Sequence, residues 1–157
     1  MNEIPAGFFK DALDPTEEEL RRWAAIEGAT YPPEMEQDWD LMVASPERAD
    51  LILALAGDAA CPNRGFFLSC LYLMVGDAVR SEGSTWPLAE ISSWLERQED
   101  LADPSISLFR ERANALLANP ETFNYNLWCW GGHAYGIEEL APDKPDPPRR
   151  WWEFWKH

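Results

Sequence analysis

The sequence predicts an all-α fold, and three observations carry that expectation. Four residues that favour helix N-caps stand directly before proline, at Asp14-Pro15, Ser45-Pro46, Asp103-Pro104 and Asn119-Pro120. Proline at the first helical position gives up a donor that has no helical partner in any case. Between these marks apolar residues recur at helical spacing. Alternating patterns bounded by hairpin turns are missing, and no Asn-Gly or Asp-Gly pair occurs.

The elements follow in order. After Asp14-Pro15 the stripe Leu20, Trp23 and Ala24 defines a first helix; Glu17, three residues past Asp14, suits a capping box, and Gly28 a left-handed stop. A second helix is expected over 34–44, on Met35, Trp39, Leu41 and Met42. A third starts at Ser45-Pro46, buries Leu51, Ile52 and Leu55, and stops at Gly57. Residues 63 to 82 are apolar on most sides, through Phe66, Phe67, Leu68, Leu71, Leu73, Met74 and Val75, which marks the central helix that the others cover. Its apolar run, 66–75, is too short to span a membrane. A fifth helix near 87 carries Leu88, Ile91, Trp94 and Leu95, and a sixth from Asp103-Pro104 carries Ile106, Phe109, Ala113, Leu116 and Leu117. The last starts at Asn119-Pro120 and ends at Gly131-Gly132. Short, unequal connections fit an irregular bundle or stacked hairpins of six to seven helices and not a strict solenoid.

At 157 residues the chain fits one domain with its own core. The expected division is an all-helical domain over 1–140 and a Pro-rich tether with an aromatic tail over 141–157. The tail, WWEFWKH, holds Trp151, Trp152 and Trp155, three of the nine tryptophans. Indoles left in water cost free energy, so a cover is expected. A groove of the chain's own body is favoured, before a protein partner or a membrane interface beside Arg149, Arg150 and Lys156.

Net charge is −15, and residues 1–60 hold 14 acids against 4 bases. That field keeps a Trp-rich protein in solution, repels nucleic-acid phosphates and anionic membranes, and steers a basic protein inward. The expected partner-binding residues are Glu17, Glu18, Glu34, Glu36, Asp38 and Asp40, together with Trp151, Trp152 and Trp155. Carboxylate pairs such as Asp38 and Asp40 read as an exposed acidic face. Three cysteines at no metal or redox spacing and an amino terminus without signal-peptide character fit a cytoplasmic protein.

No motif specifies a chemistry: HExxH, GxSxG, GxxxxGK and GxGxxG are all missing. Cys129 and His133, four residues apart, would share a helical face, but Gly131-Gly132 between them ends the helix. No second pair completes a zinc site, and a Cys129–His133 nucleophile with Glu138 lacks supporting pattern. No metal or cofactor is expected. Around them Phe123, Leu127, Trp128 and Trp130 read as a core plug. Arg64, at the start of the central helix, offers a generic anion site.

Two functions remain. The first is a non-enzymatic interaction module whose acidic surface meets a basic partner; in size and charge this profile is similar to bacterial immunity proteins and antitoxins that neutralise basic nucleases. The alternative is a small-ligand binder or enzyme with an aromatic pocket formed by Trp128, Trp130, His133 and Tyr135.

Overall fold

The computed structural model describes residues 2–35, 37–98 and 103–131. They form seven α-helices: α1 Glu17–Ala24, α2 Trp39–Val43, α3 Ala49–Gly57, α4 Arg64–Arg80, α5 Leu88–Glu96, α6 Pro104–Ala118 and α7 Tyr125–Gly131. Two 3-10 turns, Pro46–Arg48 and Pro120–Thr122, complete the list of helical elements. Among the described residues the only β feature is one bridge between Asn2 and Ala29. The all-α expectation holds, and the described part makes one compact helical body.

α4 is the axis. Phe67, Cys70 to Gly76, Ala78 and Val79 are buried, so this helix needs cover on nearly every side. α2, α3, α5, α6 and α7 all touch it. The stripes expected from sequence are the ones that do the covering: Leu20, Trp23 and Ala24 on α1, Ile91, Trp94 and Leu95 on α5, and Ile106, Phe109, Ala113 and Leu116 on α6 are buried.

Around the start of α4 the core is aromatic. Trp39 stacks on Phe66 with centroids 5.1 Å apart and meets Trp23 edge-on at 4.8 Å; Phe9 and Tyr31 close the group at 5.1 and 5.8 Å from Trp39. Both buried indoles use their N–H to hold a loop, Trp23 Nε1 donating to Thr30 O (2.9 Å) and Trp39 Nε1 to Ala12 O (3.0 Å). Irregular backbone at 2–16 and 25–35 is thereby pinned to the core.

Six expectations about helix ends need correction. α1 is capped by Thr16 and not Asp14: Thr16 and Glu19 form the reciprocal box, Glu19 Oε2 accepting from Thr16 N at 2.8 Å, while Asp14 accepts from the Arg48 guanidinium instead. Gly28 is left-handed (φ 64°), yet α1 has ended four residues earlier, and its last carbonyls are met by Asn63 Nδ2, which donates to the carbonyls of Trp23, Ala24 and Ile26. The helix over 34–44 shrinks to Trp39–Val43, because the chain turns through left-handed Asp38 (φ 60°) to aim Trp39 into the aromatic group. Gly57 is not a left-handed stop; it lies in the last turn of α3, where an added Cβ would stand 3.4 Å from Ile106 of α6. Ser45-Pro46 and Asn119-Pro120 start 3-10 turns, with α3 and α7 beginning beyond them. Asp103 behaves as expected, accepting from Ser105 N and Ile106 N at the start of α6.

α7 seats on α4 through one notch. Trp128 Nε1 donates to Tyr72 O at 2.6 Å, its ring lies 5.0 Å from the Tyr72 ring, and a Cβ on Gly76 would fall 2.8 Å from Trp128 Cδ1. Gly76→Ala therefore forces Trp128 outward and is expected to cost about 1–3 kcal/mol in urea unfolding. Gly65→Ala, at a helical site with no neighbour within 4 Å, is expected to be neutral or stabilising by up to about 1 kcal/mol. Equal effects of the two would contradict this seating.

Candidate functional site

The acids expected at a partner surface do not share one face in the way their spacing suggests. Glu17 and Glu18 lie exposed on the first turn of α1, Glu17 paired with Arg21 at 2.8 Å, and Glu34 is exposed in the following loop. Asp38 is half-buried, and Asp40 is buried, 4 % exposed. Asp40 on an exposed acidic face is thus corrected: in this one-turn helix it shares the inward face with Val43, three residues on, beside Trp39, while Leu41 and Met42 are half-buried. Glu36, Trp151, Trp152 and Trp155 lie outside the described residues, as does 141–157 as a whole.

Asp40 sits in a pocket of weak acids. Its carboxylate accepts from Leu41 N (3.0 Å), and the Cys70 thiol points at its backbone carbonyl. Desolvation pushes the Asp40 carboxyl above its usual range, the neighbouring charge of Asp38 adds to the rise, and the Leu41 hydrogen bond offsets part of it. Tyr31 is pushed to about 12, first by burial and then by Asp40. Burial raises the thiols of Cys61 and Cys70 as well, which keeps both in the poorly nucleophilic protonated form at neutral pH.

The residues of the aromatic-pocket alternative are only partly placed. Trp128 is half-buried with its N–H committed to Tyr72. Beside it a groove of about 390 Å³ runs between α6 and α7, lined by Leu116, Asn119, Phe123 and Leu127. Leu127, expected in a core plug, is 57 % exposed and corrects that reading: one turn of α7 faces α4 and the next residue faces water. The side chains of Cys129 and Trp130, and all of His133, Tyr135 and Glu138, lie outside the described residues. Arg64 is not free for an anion: it donates to Asp103 at 2.7 Å and to Ala56 O at 3.1 Å, locking the starts of α4 and α6 to the end of α3. Burial alone would raise the Asp103 carboxyl, but Arg64 and the cap N–H groups outweigh it and hold it low.

A site that spacing did not reveal is a cleft of about 520 Å³ between the start of α3 and α5. Glu47 and Asp50 line it on one side, Glu90 and Arg97 on the other, with Trp86 and Trp94 between. The two indoles meet at 5.2 Å and are nearly buried; Trp94 Nε1 donates to Asp50 Oδ1 at 2.8 Å, fixing that carboxylate. Glu47, Asp50 and Glu90 make no ion pair within the described residues. Among the described residues no three His, Cys, Asp or Glu side chains converge for a metal ion, and no helix is long and apolar enough to cross a membrane.

These features define a small helical domain with an acidic, tryptophan-floored cleft. In comparisons with known proteins the chain matches no family model, no curated protein and no solved structure.

Asp40 provides a test of the buried cluster. With its native value raised above the unfolded one, its contribution to stability is full below about pH 4 and is lost as pH rises through the native value. Asp40→Asn keeps an acceptor for Leu41 N and removes the charge. The variant is expected to exceed the parent in unfolding free energy near pH 7, and the gap to close on acidification toward pH 4. A gap that does not change with pH would contradict the assignment.

Proposed function

We propose that this chain is a non-enzymatic interaction module that captures a basic protein on its acidic surface. The observation that carries the reading is the imbalance of its charges. Of the described arginines, Arg21, Arg48, Arg64 and Arg80 are held in ion pairs within the fold, while Glu18, Glu34, Glu47, Asp50 and Glu90 form none. With a net charge of −15 over the chain and these acids unpaired, the surface carries an excess negative field that attracts cationic partners. Such a field raises the rate of encounter with a cationic partner, and buried contacts then set the lifetime of the complex. In size and charge this suits an inhibitor of the immunity or antitoxin kind, masking the cationic working surface of a nuclease. Cytoplasmic residence belongs to the same proposal.

A small-ligand site beside Trp128 draws less support, since the indole N–H that would bind a ligand is spent on Tyr72 O.

The test is affinity capture from native lysate followed by kinetics with the captured protein. The expected partner is basic, and its association rate constant falls by about tenfold or more as salt rises from roughly 50 to 300 mM. Glu18→Lys with Glu34→Lys slows association further without changing the unfolding midpoint. An acidic partner, or capture insensitive to both salt and these substitutions, would overturn the reading.

A further inference from the structure

Of the large apolar side chains exposed among the described residues, Tyr125 and Leu127 are on α7, and Leu13 is the third. Leu127, 57 % exposed, opens on the groove of about 390 Å³ between α6 and α7, together with half-buried Phe123 and Trp128 and exposed Ala115. Three polar groups of this lining are already engaged. The Trp128 N–H donates to Tyr72 O, the Thr122 hydroxyl donates to Asn119 O at 2.7 Å, and the Asn124 side-chain carbonyl accepts from Leu127 N at 3.1 Å. The groove therefore offers ring and methyl surface more than hydrogen bonds, and aromatic side chains cover such surface well.

Local charge does not choose the occupant. Arg112 lines the groove, exposed Glu111 and Glu121 neighbour its lining residues in sequence, and the half-charges at the end of α6 and the start of α7 oppose each other. What chooses it is the chain that continues from α7. Trp151 lies twenty residues beyond Gly131, the last residue of that helix. Even a randomly coiled connection of that length spans about 25 Å, against about 10 Å for the whole of α7, so residues 149–157 reach the groove with slack. Tethering at that length gives an effective concentration of about a millimolar, which a dilute second copy or a separate protein does not match. The chemistry fits as well: Trp151, Trp152, Phe154 and Trp155 supply apolar rings, and Arg149, Arg150 and Lys156 against Glu153 give the segment a positive charge in a chain of net charge −15.

We propose that the groove between α6 and α7 is the seat of the chain's own aromatic segment, 149–157, with an indole laid over Phe123, Leu127 and the ring of Trp128. This contact covers the three indoles within the chain and leaves the acidic surface to a partner; it does not rest on the interaction reading above.

The test uses the full chain and its point variants. A docked indole displaces the Leu127 methyl resonances upfield by its ring current, and it shields the Arg150–Trp151 bond from trypsin. Trp151→Ser with Trp152→Ser and Trp155→Ser is expected to return the Leu127 methyls toward ordinary leucine positions while those of Leu13 stay where they are. Leu127→Ser is expected to speed cleavage after Arg150 by about fivefold, as for one half-exposed leucine removed from a contact, and Leu13→Ser to leave it at the parent rate. Both readouts are expected to be unchanged between about 10 and 300 μM protein, as for an intramolecular contact. Leu127 methyls unmoved by the triple substitution, or equal cleavage rates in Leu127→Ser and the parent, would overturn the proposal. A Leu127 displacement that grows with protein concentration would put a second copy in the groove and overturn it as well.

Discussion

One constraint organises this molecule: a 17-residue helix that is apolar on almost every face must be covered on almost every face. A typical surface helix buries one stripe and is satisfied by one neighbour. α4 needs five helices, and their lengths differ because the space left for each differs. Close approach is bought with small residues where a large one arrives, as Gly76 receives Trp128 and Gly57 receives Ile106. Near the start of α4 the cover is too short to be helical. There, indole N–H groups and the Asn63 amide do the work of secondary structure by holding loop and helix-end carbonyls that would otherwise be buried without partners.

The same constraint generates the cleft. Laying α3 and α5 against the core brings the start of α3 beside the C-terminal half of α5, joined by the Trp94–Asp50 hydrogen bond. Helix starts favour carboxylates for local reasons. The start of α3 laid along α5 therefore gathers Glu47, Asp50 and Glu90 around one solvent-facing hollow. Surface charge that the linear sequence ties only to solubility thus acquires a location. The burial of Asp40 is the opposite outcome of the same packing: a carboxylate drawn inward because it lies on the same face as Val43, beside Trp39, and both are needed in the core.

Much of the fold was legible because it depends on periodicity. The stripes of α1, α3, α5 and α6, the all-round burial of α4 and the Asp103 cap follow from residue spacing alone. The failures have a common physical cause, competition from tertiary contacts. Asp14 was lost as a cap to Arg48, 34 residues away, and the helix expected over 34–44 was broken so that Trp39 could reach Phe66. The cleft was illegible for the same reason, since Glu47, Asp50 and Glu90 belong to segments that spacing cannot bring together. The Cys129–His133 pattern drew attention because it is local, and locality is what sequence shows best.

Native-state hydrogen exchange tests the central role of α4 most directly. If all other helices depend on covering it, the backbone amides from Cys70 to Ala78 exchange only through global unfolding, with an opening free energy equal to that from denaturant titration, while α1 and α7 open at lower cost. Exchange of these α4 amides at a free energy below global unfolding, with α1 or α6 still protected, would contradict the dependence described above.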